Sequence, residues 1–263
     1  MTNVGILGSK PSNCKTTVLF FGIRQYNPNL LPLLTICTFD MSIAENLKRI
    51  TQTLPTGVKL AAVSKTHSVE EIMEAYRAGQ RCFAENKAQE LSAKQPLLPS
   101  DIEWHFIGHL QSNKVKYIAP FVSLIHSVDS MKILQVINKE AVRNDRIISC
   151  LLQFHVAEED TKFGLSIEEA EEIMASPAYR EMHNITIAGI MGMATFTDNH
   201  DQVHREFRHL KEIFDQIKGK YFANDQAFRE ISMGMSDDYE IAISEGSTLV
   251  RIGSSIFGAR IYT

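Results

Sequence analysis

The chain is poor in cysteine and tryptophan, with four Cys and one Trp in 263 residues. Cys14, Cys37, Cys82 and Cys150 form no Cys-x-x-Cys pair and no metal-ligand spacing. A disulfide framework and a metal site are therefore not expected, and a reducing, cytoplasmic compartment is. No apolar run approaches the roughly 18 residues of a membrane-spanning helix, so no membrane partner is expected. An excess of one charge is missing too. Lys+Arg number 27 against Asp+Glu 31, a formal net charge of -4, which does not suit a chain that coats nucleic acid. What remains is an ordinary globular composition, 44% hydrophobic and 22% charged, able to bury a sizeable core.

Residues 1–40 differ in texture from the rest. They hold Lys10, Lys15 and Arg24 but a single acidic residue, Asp40, with Pro11, Pro28 and Pro32 between short apolar runs. No helical or strand period persists there. We expect an N-terminal extension that is poorly ordered, with Met41 as the functional start. A targeting segment is the rival, but its apolar stretch from Leu30 to Phe39 is broken by Pro32 and lacks an Ala-x-Ala site after it. From Met41 an amphipathic helix follows, with Ile43, Leu47 and Ile50 on one face and a Ser42-x-x-Glu45 capping pattern.

Residues 41–263 alternate short β-branched or apolar runs with helical patterns. The runs are 58–64, 81–85, 103–107, 122–127, 147–156, 185–191, 230–233 and 249–252. Met131 to Arg143, Ser166 to Ala175 and His200 to Lys218 are the clearest helices. Strict alternation implies parallel strands with covering helices. Eight units predict a single (β/α)8 barrel of the TIM type over 41–263. Little helix follows the eighth strand, and the 42–54 helix is expected to fill that gap. An open doubly wound sheet is the alternative, but the first turn, Ser64-Lys65-Thr66-His67, is not the Gly-rich turn it needs.

Barrel chemistry collects at the C-terminal ends of the strands. Lys65 stands there, directly after an apolar strand, where desolvation favours a neutral amine fit for Schiff-base chemistry. A lysine simply emerging into solvent has the same sequence appearance. Arg251 lies inside the eighth strand, which a closed barrel sets beside the first. A buried guanidinium needs a partner, either an anionic or electron-poor aromatic ligand shared with Lys65 or a carboxylate such as Glu85. Two Gly/Ser turns follow the last two strands: Ser232-Met233-Gly234-Met235-Ser236-Asp237-Asp238, and Gly253-Ser254-Ser255. Those loops are where such barrels hold phosphate. Ser236 is expected to cap a helix starting at Asp237. Lysine, phosphate cup and arginine together suit pyridoxal 5'-phosphate (PLP) or the sugar phosphate of a Schiff-base aldolase, and the residues alone leave both open.

Other clusters are weaker. His200 and His204 are four apart on a helix but lack the glutamate of His-Glu-x-x-His. His105 reads either as lining the mouth or as a hydrogen-bonded structural group. Cys82 and Cys150 read as core thiols. Met191, Met193, Met233 and Met235 cluster near strand ends and read either as core filling or as packing around a flat ring.

Several stretches resemble the pyridoxal phosphate homeostasis protein family, PLP-binding relatives of the alanine racemase barrel. They are Leu60-Ala61-Ala62-Val63-Ser64-Lys65-Thr66, Ala84-Glu85-Asn86-Lys87, the run from Trp104 to Lys114, Lys162-Phe163-Gly164, Gly189 to Ala194, Ser232 to Asp238 and Val250-Arg251-Ile252-Gly253. The resemblance implies that Lys65 forms an internal aldimine with PLP. It implies that Ser236, Gly253 and Ser254 contact the phosphate, that Arg251 faces the pyridine nitrogen, and that Asn86 lies near the ring hydroxyl. Two departures are Ala84, where the family has Gly, and Ser254, where it has Thr.

An arginine at the pyridine nitrogen weakens the ring as an electron sink. The racemase relatives take one catalytic proton donor from a C-terminal β domain, and here ten residues follow Gly253. Both points predict a monomeric PLP carrier serving intracellular PLP homeostasis, with PLP-dependent apoenzymes as partners. A low-activity amino-acid racemase or lyase is the enzyme alternative.

Overall fold

A computed structural model describes residues 41–158 and 163–258. The expectations for residues 1–40, and for Lys162 in the Lys-Phe-Gly stretch, lie outside the described residues.

The chain enters through α1 (Ile43–Thr53), then β1 (Lys59–Val63), α2 (Val69–Arg77), β2 (Cys82–Glu85), α3 (Ala88–Lys94) and β3 (Glu103–Phe106). It continues through α4 (Val115–Ile118), β4 (Leu124–Val128), α5 (Met131–Arg143), β5 (Ile148–Gln153), α6 (Ile167–Ala175) and α7 (Pro177–Arg180). The last third is β6 (Ile185–Met191), α8 (His200–Tyr221), β7 (Glu230–Ser232), α9 (Tyr239–Ser244), β8 (Leu249–Ile252) and α10 (Ser254–Phe257). All strands are parallel, each pairs with the next, and β8 pairs with β1, so the sheet is a closed eight-stranded barrel. The eight-unit expectation holds. Expected strand five is shorter than its apolar run, because Phe154 makes only an isolated bridge to Leu165.

Local signals explain the helix ends. Ser68 and Ser166 each close a capping box, with Glu71 and Glu169 returning the bond. Gly79 ends α2 at φ +105°, a backbone conformation that a Cβ resists. The strands bury two faces. Outward residues such as Ala62, Phe83, Ile125, Leu152 and Val250 pack under the helices, while Ala61, Val63, Ala84, Leu124, Leu151, Met191 and Leu249 fill the interior. Burial on both faces is why the strands read as continuous apolar runs.

Helix α1 fills the gap after β8, as expected. It packs against α2 and α10. Asn46 Nδ2 donates to the Ile256 carbonyl at 3.1 Å. Leu47 and Ile50 supply its buried face.

Candidate functional site at the C-terminal mouth of the barrel

The β1–β8 register places Lys59 opposite Leu249 and Ala62 opposite Ile252. The Ser64–Lys65–Thr66 turn therefore leaves β1 where Gly253 leaves β8. A Cβ built on Gly253 would lie 3.1 Å from the Val63 carbonyl oxygen, a tight contact that marks how closely the two strand ends approach. Lys65 is half-buried in this turn, and Thr66 after it has φ +69°, a left-handed conformation rare for a β-branched residue.

The two Gly/Ser turns join into one cup. Gly253 N–H donates to Ser236 Oγ at 3.3 Å, and Arg251 N–H to the Gly234 carbonyl at 3.0 Å. Gly234 sits at φ +96° with Ala242 directly behind it. No side chain caps α10, so the first N–H groups of Ser254 and Ser255 stay available beside the Ser254 hydroxyl. Ser236 does not cap the following helix, contrary to expectation. That helix begins at Tyr239, and the N–H groups at its start go to the Met235 carbonyl, while the Asp238 carboxylate takes the Met235 N–H. The Ser236 hydroxyl thus belongs to the cup.

Arg251 is buried in the barrel interior. One guanidinium nitrogen donates to the carbonyl and the hydroxyl of Ser232, each at 2.7 Å, and another to the Gly192 carbonyl at 3.1 Å. The group thus bridges the ends of β6 and β7. Burial lowers its pKa to about 10, so it stays cationic at neutral pH. Among the described residues no carboxylate pairs with it. Glu85, the candidate partner from sequence, points instead to Lys94 at 2.8 Å.

Arg251 also heads a hydrogen-bond chain through the barrel. His126 Nδ1 lies 2.9 Å from Ser232 Oγ, and His126 Nε2 lies 3.0 Å from His105 Nδ1. Arginine can only donate, so one direction satisfies every member: Arg251 to Ser232, Ser232 to His126, His126 to His105. Burial drives both imidazole pKa values down, that of His105 to about 3, so both are neutral. His105 is thus a hydrogen-bonded interior group rather than a mouth residue. Sequence reasoning did not single out His126 or Ser232. The signal was the strand period, which turns both inward.

Asn86 follows β2 and is half-buried. Its backbone presses on Gly108, where a Cβ would fall 2.1 Å from the Asn86 carbonyl oxygen. The mouth thus gathers Lys65, Asn86, Ser236, Gly253 and Ser254 at strand ends, with Arg251 beneath. Met191 and Met233 are buried core residues, as read from sequence. His204 Nδ1 pairs with Glu245 Oε1 at 2.8 Å.

At the opposite end, Cys82, Glu103 and His105 bring three potential ligand atoms within 4.8 Å of one another. Spacing hid this, because the group forms only across the β2–β3 register, Cys82 opposite Glu103. The Lys59 ammonium is close enough to act on both the thiol and the imidazole, so a cation there would meet a positive charge already in place.

Residues 41–261 match the family described as alanine racemase, N-terminal domain. The chain belongs to that family and, within it, to the pyridoxal phosphate homeostasis proteins. The relative from Aquifex aeolicus bearing that name is 40% identical over 205 residues, 78% of this chain and 88% of its own. The Escherichia coli K12 relative is 36% identical over 213 residues, 80% of this chain and 88% of its own. Among solved structures, PipY of Synechococcus elongatus without PLP superposes with TM-score 0.77 at 33% identity, covering 82% of this chain and all of PipY. PipY with PLP bound superposes with TM-score 0.75. Alanine racemase from Bartonella henselae, at 14% identity and TM-score 0.61, shares the fold.

Proposed function

We propose that the chain binds PLP at this mouth, holds it through a Schiff base to Lys65, and serves as a PLP carrier in intracellular PLP homeostasis and delivery to apoenzymes. The observation that carries the reading is the strand register that sets the Lys65 turn against the Gly253–Ser254 turn, with Arg251 two residues before Gly253 on the same strand.

The donor set fits the cofactor. The cup offers two hydroxyls and uncapped backbone N–H groups, the chemistry a phosphate dianion accepts. A side chain at Gly253 would press on Val63 at the end of β1, beside the Lys65 turn. Lys65 is the amine beside it; forming the link converts the aldehyde C=O to C=N and releases one water. PLP supplies an electrophilic, electron-withdrawing ring when bound. Arg251 decides how far that ring is used. Its guanidinium is anchored on Ser232 and Gly192 and can only donate, so it would favour an unprotonated pyridine nitrogen in a bound PLP. An unprotonated ring stabilises a carbanion weakly, which favours holding over turnover. The bound PLP of PipY and the names of the relatives support the same reading.

The test is an absorbance titration of the purified chain with PLP, beside Lys65→Ala. The reading expects a visible imine band in the parent alone. Incubating the loaded protein with a panel of amino acids separates the enzyme alternative, since turnover faster than about 1 per second belongs to an ordinary enzyme and not to a carrier.

A further inference from the structure

A second cluster of charges lies under the Lys65 turn, between the barrel wall and α3. Glu85 is fully buried, and Lys94 nearly so. Lys94 Nζ has three donors and three acceptors around it: Glu85 Oε1 at 2.8 Å, Glu90 Oε1 at 2.7 Å, and the Ser64 carbonyl oxygen at 2.9 Å. The last of these is backbone, the residue just before Lys65. Ser64 is held again through its hydroxyl, which donates to Glu85 Oε1 at 2.7 Å, and through its N–H to the Ala84 carbonyl at 3.0 Å. The residue just after Lys65 is gripped from the same cluster: Thr66 N–H donates to Glu90 Oε1 at 2.7 Å. Thr66 is the residue with φ +69°.

We propose that Lys94 and Glu90 are positioning residues for the Lys65 amine, a brace that fixes the turn on either side of Lys65 and thereby sets where its side chain starts. The inference rests on the reading of Lys65 as the PLP lysine. A threonine does not hold a left-handed backbone unaided, so something must over-determine it. Among the bonds of the described residues, the Glu90 carboxylate is what takes the Thr66 N–H. Lys94 orients that carboxylate and ties it to Ser64, making one rigid unit of α3, the end of β1 and the turn. The chemistry explains why a costly buried lysine stands here. Apolar side chains would pack as well, and replacing buried ion pairs by apolar groups is often neutral for stability. A hydrocarbon cannot bind a carbonyl on one side of Lys65 and orient the acceptor for an N–H on the other.

Helix α3 thus acts on the site without touching the ligand. Among the described residues, the hydrogen bonds that build the cup and hold Arg251 run between the ends of β6, β7 and β8 and their loops, and none of them reaches Lys94 or Glu90. Phosphate anchoring and amine placement are therefore separable, and that separation is the test.

The full chain and its Lys94→Met, Lys94→Arg, Glu90→Ala and Lys65→Ala forms are compared in two measurements. One is the equilibrium affinity for pyridoxine 5'-phosphate, which has the phosphate and ring but no aldehyde. The other is the rate of imine formation with PLP, read by stopped-flow absorbance across pH. Lys94→Met and Glu90→Ala are expected to keep the pyridoxine 5'-phosphate affinity within about twofold while slowing imine formation by about tenfold or more, the scale on which misplaced reacting groups act. Lys94→Arg, which keeps a cation able to reach the same acceptors, should recover part of the rate. Should Lys94→Met fail to fold, Glu90→Ala carries the test, because that side chain is partly exposed. Equal imine rates in parent and Glu90→Ala overturn the brace, as does an affinity for pyridoxine 5'-phosphate that falls in step with the rate. An imine band persisting in Lys65→Ala overturns the reading of the site itself, a different outcome from either.

Discussion

Arg251 and Ser232 are joined twice: one guanidinium nitrogen reaches the serine carbonyl and its hydroxyl, both at 2.7 Å. The hydroxyl is the step between a permanent cation and the neutral pair His126 and His105. Removing it takes one of two acceptors from the Arg251 nitrogen and leaves the buried His126 Nδ1 without a donor. Ser232→Ala is expected to destabilise the chain by about 1–3 kcal/mol, the cost of an unsatisfied buried polar group, read as a lower urea midpoint. An unchanged midpoint would show that the chain does not hold the interior together.

The phosphate cup makes a second prediction. Ser236 accepts the Gly253 N–H, and in the proposed reading its own hydroxyl would be a donor to the phosphate. Ser236→Ala should weaken PLP binding by about tenfold to a hundredfold, the worth of one hydrogen bond to a charged group, while the imine still forms at saturating PLP. Equilibrium titration against the parent checks both halves.

Much of this was legible in sequence. Eight apolar runs alternating with helices specify a closed barrel, and the position of Lys65 after the first run and Arg251 within the last puts both near one mouth. The remainder needed three dimensions. Lys94 carries no signal in the sequence, because only the packing of α3 brings its ammonium to the Ser64 carbonyl. The Cys82, Glu103 and His105 cluster spans 23 residues and exists only because β2 and β3 lie in register. Ser236 misled in a different way. A serine before Asp-Asp has the look of a helix cap, but the Met235 carbonyl takes the Asp238 and Tyr239 N–H groups at the helix start, which leaves the Ser236 hydroxyl to the Gly253 N–H.

A third prediction concerns pH. Glu206 is buried on α8, and burial by itself raises its pKa. Bonds from the Thr195 N–H at 2.6 Å, the Thr195 hydroxyl at 2.7 Å, Gln202 and the Glu158 N–H outweigh that and leave the pKa below the ordinary glutamate value. A carboxyl whose folded pKa is depressed stabilises the fold above its unfolded pKa and loses that contribution as pH falls through the folded one. Glu206→Gln is thus expected to be less stable than the parent at pH 7, with the gap closing below about pH 4, near the unfolded value. A gap constant from pH 7 to pH 3 would contradict the assignment.

Two glycines give opposite expectations. Gly219 lies within α8 with nothing within 4 Å of an added Cβ, so Gly219→Ala should stabilise by about 0.5–1 kcal/mol through helix propensity. At Gly108 the same methyl would strike the Asn86 backbone. Gly108→Ala should therefore lower the thermal midpoint and displace Asn86 from the mouth. Thermal unfolding of both variants, run side by side, tests the geometry at the ends of β2 and β3.

The most direct test of the central claim is chemical. The chain is mixed with PLP, reduced with borohydride, digested and mapped by mass spectrometry. The account predicts one phosphopyridoxyl adduct, on Lys65, absent from Lys65→Ala. Predominant labelling of any other lysine, or an equal yield in Lys65→Ala, would contradict it.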